Sequence, residues 1–465
     1  MSSRSEIPSV TTETRTILNI SIPLLAAYLA EMGMLITDMI IVGHLGSNEL
    51  AAVGLAADWF YVLLLIGMGI ISIVGVLVAQ SVGARDFRGA TDAVEQGLIV
   101  ASIMSIPVML CIWYLGPALR VARQDPDVLQ LIIQYSQPLT WCVLPILWFA
   151  VLRNFVTAMV KASIVMWITV AALALNLAIN YALVFGKFGF PALGVVGAAY
   201  GTVIVNWLIF AAMAAHVLWS ASFSRCRPSL LPRRIDVRIF KEILVLGLPV
   251  TGSQILGAAS FTAAAIFAGV LSADTLAAQQ IVYTVIYVAL SASIAIGDAV
   301  RVRVAYGIGM RSAAAARQSA TIAFSLGAIA TIAACSALWL FPQQIVGVFL
   351  DTDAAANAGA VLIAVMLAPY AAAFQLFDGV LLVIANALRG LRDTRSPLWI
   401  AMAGYWVVGL GLGYWLCFPR GQGATGIWLG MIVGAVVAIV LMTVRYRARM
   451  AHAEASLARL ADGLA

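Results

Sequence analysis

Twelve runs of mostly apolar residues, each long enough for a helix to cross a bilayer, follow one another along this chain. They lie at approximately 17–43, 50–80, 94–117, 131–155, 163–186, 194–220, 242–270, 276–304, 316–341, 355–386, 397–417 and 423–445. A spanning helix needs about 20 apolar residues to match roughly 30 Å of hydrocarbon. Of all residues, 63% are hydrophobic and only 10% are charged, against about 25% charged in an ordinary soluble domain. The expected fold class is an all-α integral membrane protein with twelve transmembrane helices. The run at 355–386 is long enough for its start to lie outside the hydrocarbon. The first sixteen residues are polar, unlike the layout of a cleaved signal peptide, so the first span is expected to stay in the mature protein.

Cytoplasmic segments of membrane proteins carry the excess of Lys and Arg. With the N-terminus inside, 23 of the 27 basic residues fall on the cytoplasmic side, and only Arg120, Arg123, Lys187 and Arg420 fall on the other. Both termini are therefore expected in the cytoplasm. The richest polar connector, 221–241, holds two prolines and six cations near the middle of the chain. It predicts a cytoplasmic N-terminal segment 1–16, a six-helix lobe 17–220, the linker 221–241, a second six-helix lobe 242–445 and a cytoplasmic tail 446–465.

A shift of 226 residues tests this division. It lays Pro23 on Pro249, Gly43 on Gly269, Leu50-Ala51-Ala52 on Leu276-Ala277-Ala278, and Gly83 with Arg85 on Gly309 with Arg311. Further on, Asn154 and Trp167 match Asn386 and Trp399 at 232, and Gly194, Gly197 and Gly201 match Gly423, Gly426 and Gly430 at 229. The chain is a duplicated pair of pseudo-symmetric six-helix bundles. Six spans return each half to its starting side, so the halves share one topology, as in transporters built from parallel repeats.

Five acids, Glu31, Asp38, Asp58, Asp298 and Asp378, lie within the apolar runs. A carboxylate at mid-bilayer costs at least ~2.5 kcal/mol, and such residues commonly face protein or water and mark function. Glu31 and Asp38 are seven residues apart on nearly one helix face. They could bind a cation, or be hydrogen-bonded core residues; function is favoured for Asp38, and for Glu31 both readings stand open. Asp298 precedes Arg301 by three residues, which predicts an i,i+3 ion pair. Asp58 neighbours the aromatic run Trp59-Phe60-Tyr61 and reads as an interfacial, structural residue. Asp378 is centred in its run with no cation within a turn, and function is the favoured reading. Asn176 and Asn180 share a helix face; such pairs can meet a cation or carboxylate, or join neighbouring helices.

Several function classes are set aside. The basic residues stand singly between apolar runs, so no groove for nucleic acid is expected. The five cysteines are scattered without C-x-x-C spacing, and neither a disulfide framework nor a zinc site is indicated. No phosphate-binding loop and no H-E-x-x-H occur, and the three histidines, His44, His216 and His452, stand far apart. No catalytic residues are assigned, an enzyme is not expected, and no tightly bound cofactor is implied. Buried acids without a nucleotide site favour coupling to an H+ or Na+ gradient.

The segments 37–56 (TDMIIVGHLGSNELAAVGLA), 176–202 (NLAINYALVFGKFGFPALGVVGAAYGT) and 374–397 (FQLFDGVLLVIANALRGLRDTRSP) resemble signatures of the multidrug and toxic compound extrusion (MATE) family, in particular its NorM-like branch. The resemblance covers essentially the whole chain. It implies a twelve-helix antiporter that exchanges H+ or Na+ for amphipathic, mostly cationic organic compounds, by alternating access between two lobes. It also implies that Asp38 is the first-helix acid, with Asn176, Asn180 and Thr202 around it as an ion-coupling group and possible Na+ site, and that Asp378 is the tenth-helix acid. Two positions depart from the branch: Gly257 stands where a seventh-helix Glu is expected, and Phe374 where a Tyr precedes the tenth-helix acid. A C-lobe sodium site is therefore not expected. Glu31 is the pseudo-symmetric counterpart of Gly257 and is retained as a secondary candidate.

The alternatives are a flippase of lipid-linked oligosaccharide from the same superfamily, which would want more mid-span cations, and a membrane enzyme. Arg greatly outnumbers Lys and Ala is abundant, as in GC-rich bacteria. The expected setting is the bacterial inner membrane, where the chain is multi-pass, contacts the lipid bilayer and works as a monomer.

Overall fold

A computed structural model describes residues 8–121, 126–230, 234–350, 354 and 357–462. Residues 1–7 and 463–465 of the two terminal segments, with Arg123 and Arg233, lie outside the described residues. Among the described residues every regular element is helical and no strand occurs. Twelve helices are long and apolar enough to span a membrane: α1 (Val10–Gly43), α2 (Ser47–Gly83), α3 (Phe87–Trp113), α4 (Pro126–Ala158), α5 (Ser163–Phe185), α6 (Gly194–Trp219), α7 (Val237–Leu271), α8 (Ala273–Gly309), α9 (Ala313–Leu340), α10 (Ala358–Gly390), α11 (Arg395–Cys417) and α12 (Ala424–Arg459). They correspond one for one to the twelve apolar runs. Helix α4 carries a 3-10 turn at Thr140–Cys142, directly after Pro138, and α11 is π-helical over Met402–Leu410.

The ends run further than hydropathy implies. Helix α1 starts at Val10 because the Ser9 hydroxyl accepts a hydrogen bond from the Thr12 N–H at 3.2 Å, as an N-capping serine does. At the other terminus the helical run of α12 continues to Asp462. Its Arg445 and Arg449 each donate an Nε hydrogen to Asp393 Oδ2, at 2.8 and 3.0 Å. Arg317 pairs with Glu454 further along.

The chain forms two compact units, one running from Ile22 to Thr251, the other comprising the described residues up to Ser21 and from Gly252 onward. The boundaries thus fall inside α1 and α7, whereas the sequence places the division at the 221–241 connector. Specific contacts account for this. Glu13, 1% exposed, accepts hydrogen bonds from Arg303 Nε at 2.8 Å, Arg303 Nη2 at 2.6 Å and Ser319 Oγ at 2.6 Å, which ties the start of α1 to α8 and α9. Thr251 on α7 donates to the Ile66 carbonyl at 3.0 Å. Beside it, a Cβ on Gly247 would stand 2.6 Å from the Ile70 Cα, so α7 and α2 approach closely only because residue 247 is glycine. The connector itself is held on α3, where Gln96 Nε2 donates to the Arg234 carbonyl at 3.0 Å and Glu95 Oε1 accepts from the Ser229 N–H at 2.8 Å.

The duplication is visible in backbone geometry. Arg85 and Arg311, related by the 226 shift, both take the left-handed conformation, with φ 60 and 58. The next residues, Asp86 and Ser312, cap α3 and α9 by accepting from Gly89 N and Ala315 N. At the 232 shift, Val160 and Arg392 have φ 58 and 61. Asn154 and Asn386 each donate to the carbonyl one turn back, Ala150 and Leu382. Two copies of one turn chemistry persist where the side chains between them have diverged.

The Glu13–Arg303 pair is nearly inaccessible on both sides, and removing one member of such a pair leaves a buried charge without compensation. Glu13→Ala should lower stability by about 3–5 kcal/mol, measured as a fall in the unfolding midpoint of the detergent-solubilised protein. Asp393 lies between spans: burial alone would raise its pKa, but hydrogen bonds from the Ser396 hydroxyl and N–H and from Arg445, with the charge of Arg449, hold it below the ordinary 3.8. The unfolded chain then binds this proton more readily than the folded one. The contribution is present above pH 3.8 and is lost as pH falls through the lower, folded value. In acid unfolding scans Asp393→Asn should be less stable than the parent near neutrality, and the gap should close on acidification.

Candidate functional site

The Ile22–Thr251 unit builds a carboxylate site from three helices. Asp38 comes from α1, Asn176 and Asn180 from α5, and Thr202 from α6. Asp38 is 8% exposed and Asn180 fully buried. Asn180 Nδ2 donates a short hydrogen bond to Asp38 Oδ1. Thr202 Oγ1 donates to Oδ2 at 3.3 Å while also reaching the Ala198 carbonyl of its own helix at 3.0 Å. Asn176 lies within reach of the same carboxyl group, and its Oδ1 accepts from Thr37 Oγ1 at 3.1 Å. The four residues predicted to act together are therefore brought together, with Thr37 as a member that the sequence reading did not single out.

Among the described residues no cation pairs with Asp38; amide and hydroxyl donors hold it. One acceptor in the group is unused, because Asn180 Oδ1 is buried and has no hydrogen-bond partner. Asp38 Oδ, the amide oxygens of Asn176 and Asn180 and Thr202 Oγ1 form a set of hard oxygen donors of the type that alkali and alkaline-earth cations take. A proton on Asp38 would be served by the same acceptors. The residues fit either a bound cation or a proton on Asp38.

Space for this arrangement comes from a glycine. A Cβ on Gly201 of α6 would stand 1.7 Å from Asn180 Oδ1. The repeated Gly194, Gly197 and Gly201 thus include one residue whose missing side chain serves the site as well as the helix contact; at Gly197 a Cβ would meet the Leu183 carbonyl at 2.6 Å.

Glu31 does not join the Asp38 group. Its Oε1 accepts from Arg153 Nη1 at 3.0 Å, forming an ion pair between α1 and α4, with the guanidinium also lying over the Tyr28 ring at 5.3 Å. Asp298 makes the expected i,i+3 pair with Arg301, at 3.0 Å.

The other unit places Asp378 on α10, buried, where Tyr405 Oη of α11 donates a short hydrogen bond to Oδ1. Tyr405 lies within the π-helical stretch Met402–Leu410; wide turns of this kind recur at functional sites. One residue further, Trp406 Nε1 donates to the Leu256 carbonyl at 3.0 Å. One turn before Asp378, Gln375 is 1% exposed and neither of its amide atoms has a partner. Phe374 instead packs edge-on against Phe261 and Trp428 at 5.7 and 5.9 Å between centroids. A Cβ on Gly257 would meet nothing within 4 Å. Tyr405 and Gln375 escaped the sequence reading because a phenol or amide in an apolar run carries no spacing signal, and a π turn leaves none.

Two six-helix repeats of a membrane protein, each with a buried acid held by uncharged donors, are the architecture of a membrane transporter. The MatE family model matches residues 23–182 and 249–415, one match in each repeat, and the chain belongs to this family. It is 34% identical to "Multidrug resistance protein NorM" of Burkholderia vietnamiensis over 441 residues, covering 94% of this chain and 95% of the relative. It is also 34% identical to "Probable multidrug resistance protein NorM" of Pseudomonas aeruginosa, covering 95% and 90%. Among solved structures, an outward-facing multidrug resistance MATE family transporter superposes with a TM-score of 0.87 at 20% identity, covering 95% of this chain and 97% of that one. The eukaryotic MATE transporter AtDTX14 gives 0.84 at 20% identity, covering 97% and 100%.

Gly201→Ala adds one methyl group where there is no room. It should displace Asn180 from Asp38 and reduce transport by about the tenfold that loss of a buried, charge-assisted hydrogen bond implies. Dye transport in vesicles at matched expression measures this, with Gly54→Ala as control, since a Cβ there meets nothing within 4 Å.

Proposed function

We propose that this protein expels amphipathic, mostly cationic organic compounds from the cell in exchange for H+ or Na+, with the Asp38 group as the coupling site. The observation that carries this reading is a buried carboxylate with no counter-cation, held by Asn180 and Thr202 beside an unused amide oxygen. Such a site is incomplete in charge, and a monovalent cation completes it. The names of relatives at 34% identity over nearly the full chain support a multidrug substrate range.

Coupling follows from differential affinity. A ligand that binds two states equally shifts nothing, so the ion and the drug must each prefer a different state of the alternating-access cycle. In the proposed cycle the ion neutralises Asp38, the donors on α5 and α6 rearrange around the neutral group, and α1 favours the drug-releasing state. Loss of the ion restores a carboxylate, which favours the state that takes up the next cationic compound. Asp378 with Tyr405 is proposed as a second protonatable position in the other unit, and the Glu31–Arg153 pair as a structural link with at most a secondary part. The proposed setting is the bacterial inner membrane, with cytoplasmic termini and a monomeric transporter.

Proteoliposomes loaded with a cationic dye, with H+ and Na+ gradients imposed separately, test the reading. One gradient should drive dye flux, and Asp38→Asn should cut that flux to about a tenth of the parent rate or less, because the charge on which coupling depends is removed. Asp38→Asn that reaches the membrane and transports at the parent rate would refute the assignment.

A further inference from the structure

In the Ile22–Thr251 unit, about 10 Å along α1 from Asp38 at ~1.5 Å per residue, Glu31 holds the guanidinium of Arg153 from α4. The guanidinium carbon also lies over two rings, 5.3 Å from the Tyr28 centroid and 5.8 Å from that of Phe149, both within the ~6 Å over which an aromatic face attracts a cation. An ion pair between two membrane helices ordinarily serves only to join them. Here the join is weak. It is a single contact, Nη1 to Oε1 at 3.0 Å, not the paired fork that carboxylate and guanidinium form at their strongest. Glu31 Oε2 makes no hydrogen bond to another described residue. The Glu31 side chain is 35% exposed, and pairs open to that extent add little to stability.

The other repeat folds without any of these four groups. At the shifts of 226 and 232 that relate the repeats, Tyr28 and Glu31 correspond to Gln254 and Gly257, and Phe149 and Arg153 to Leu381 and Ala385. The helices that carry the counterparts, α7 and α10, form all the same. What the architecture does without in one copy, packing does not demand in the other. A carboxylate beside two ring faces, already occupied by a planar cation that donates to it, has the chemistry that recognises a guanidinium. Its present occupant is simply tethered to the protein.

We propose that Glu31, Tyr28 and Phe149 form a subsite for planar guanidinium or amidinium groups of exported compounds, with Arg153 as a built-in occupant that such a compound displaces. The incoming group takes Oε1 and Oε2 together, whereas Arg153 donates to Oε1. This deepens the export reading, on which it rests, by naming a class of compound. The subsite shares no residue with the Asp38 group, and its occupancy is separable from ion coupling.

Phenylguanidine is the probe, with phenyltrimethylammonium as its control, a cation of the same ring and charge without N–H groups. Each is titrated calorimetrically into the full-length protein in phosphatidylcholine nanodiscs, with no ion gradient. Arg153→Ala empties the subsite and should bind phenylguanidine about fivefold tighter than the parent, the factor for removing a competing, partly exposed ion pair, while phenyltrimethylammonium gains little. Glu31→Gln added to Arg153→Ala should abolish the gain. Arg153→Gln, which keeps most of the side-chain volume, gives the same comparison where the alanine variant does not fold. A pair that merely joins helices gives another pattern: Arg153→Ala and Glu31→Gln both lower the unfolding midpoint and leave phenylguanidine affinity where it was. The proposal is overturned by that pattern, by a gain that survives Glu31→Gln, or by an equal gain for phenyltrimethylammonium. Because binding is read without a gradient, its failure leaves export standing, and failure of export leaves a positive binding result standing.

Discussion

The arrangement around Asp38 turns on one constraint: an acid enclosed by apolar helices without a neighbouring cation has to be stabilised by dipoles. Amide and hydroxyl donors do this here, from α5 and α6, while α1 presents the acid. Each donor requires a helix at the right depth and rotation, so the site fixes the mutual register of three spans. Gly201 shows how strict that register is, because a single methyl group would occupy the volume that Asn180 Oδ1 uses. A salt bridge would have tolerated looser placement, but it would also have left the carboxylate already neutralised.

The two repeats solve this problem differently. In one unit the acid is on the first helix and its donors are Asn and Thr on regular α-helices. In the other, the acid is on α10 and its donor is Tyr405, delivered by a π-helical stretch. What the copies retain is turn chemistry: left-handed Arg85 and Arg311, the caps Asp86 and Ser312, and the back-bonded Asn154 and Asn386. Turns preserve chain direction, on which every later contact depends, whereas polar groups in the helix interior are free to specialise.

Much of this was legible in the sequence. Span number followed from hydrocarbon thickness, and the duplication from matched Pro and Gly. Asp38, Asn176, Asn180 and Thr202 were grouped by resemblance, and the structure places them in contact. Three things were not legible. The unit boundaries inside α1 and α7 depend on the buried Glu13–Arg303 contact, which joins residues 290 positions apart. The pairing of Glu31 with Arg153 depends on how α4 is rotated after its 3-10 turn, and hydropathy carries no rotation. Tyr405 depends on a local change of helical type.

That change has a consequence for how such a site can arise. A π turn holds one residue more than an α turn, so everything beyond it is rotated relative to the uninterrupted helix. The widened stretch of α11 presents the Tyr405 phenol to α10 although the helix has the same 23 residues as its counterpart α5. The donor in this half of the molecule thus rests on a local departure of the backbone, while the Asn–Asn–Thr group of the other half rests on side chains alone.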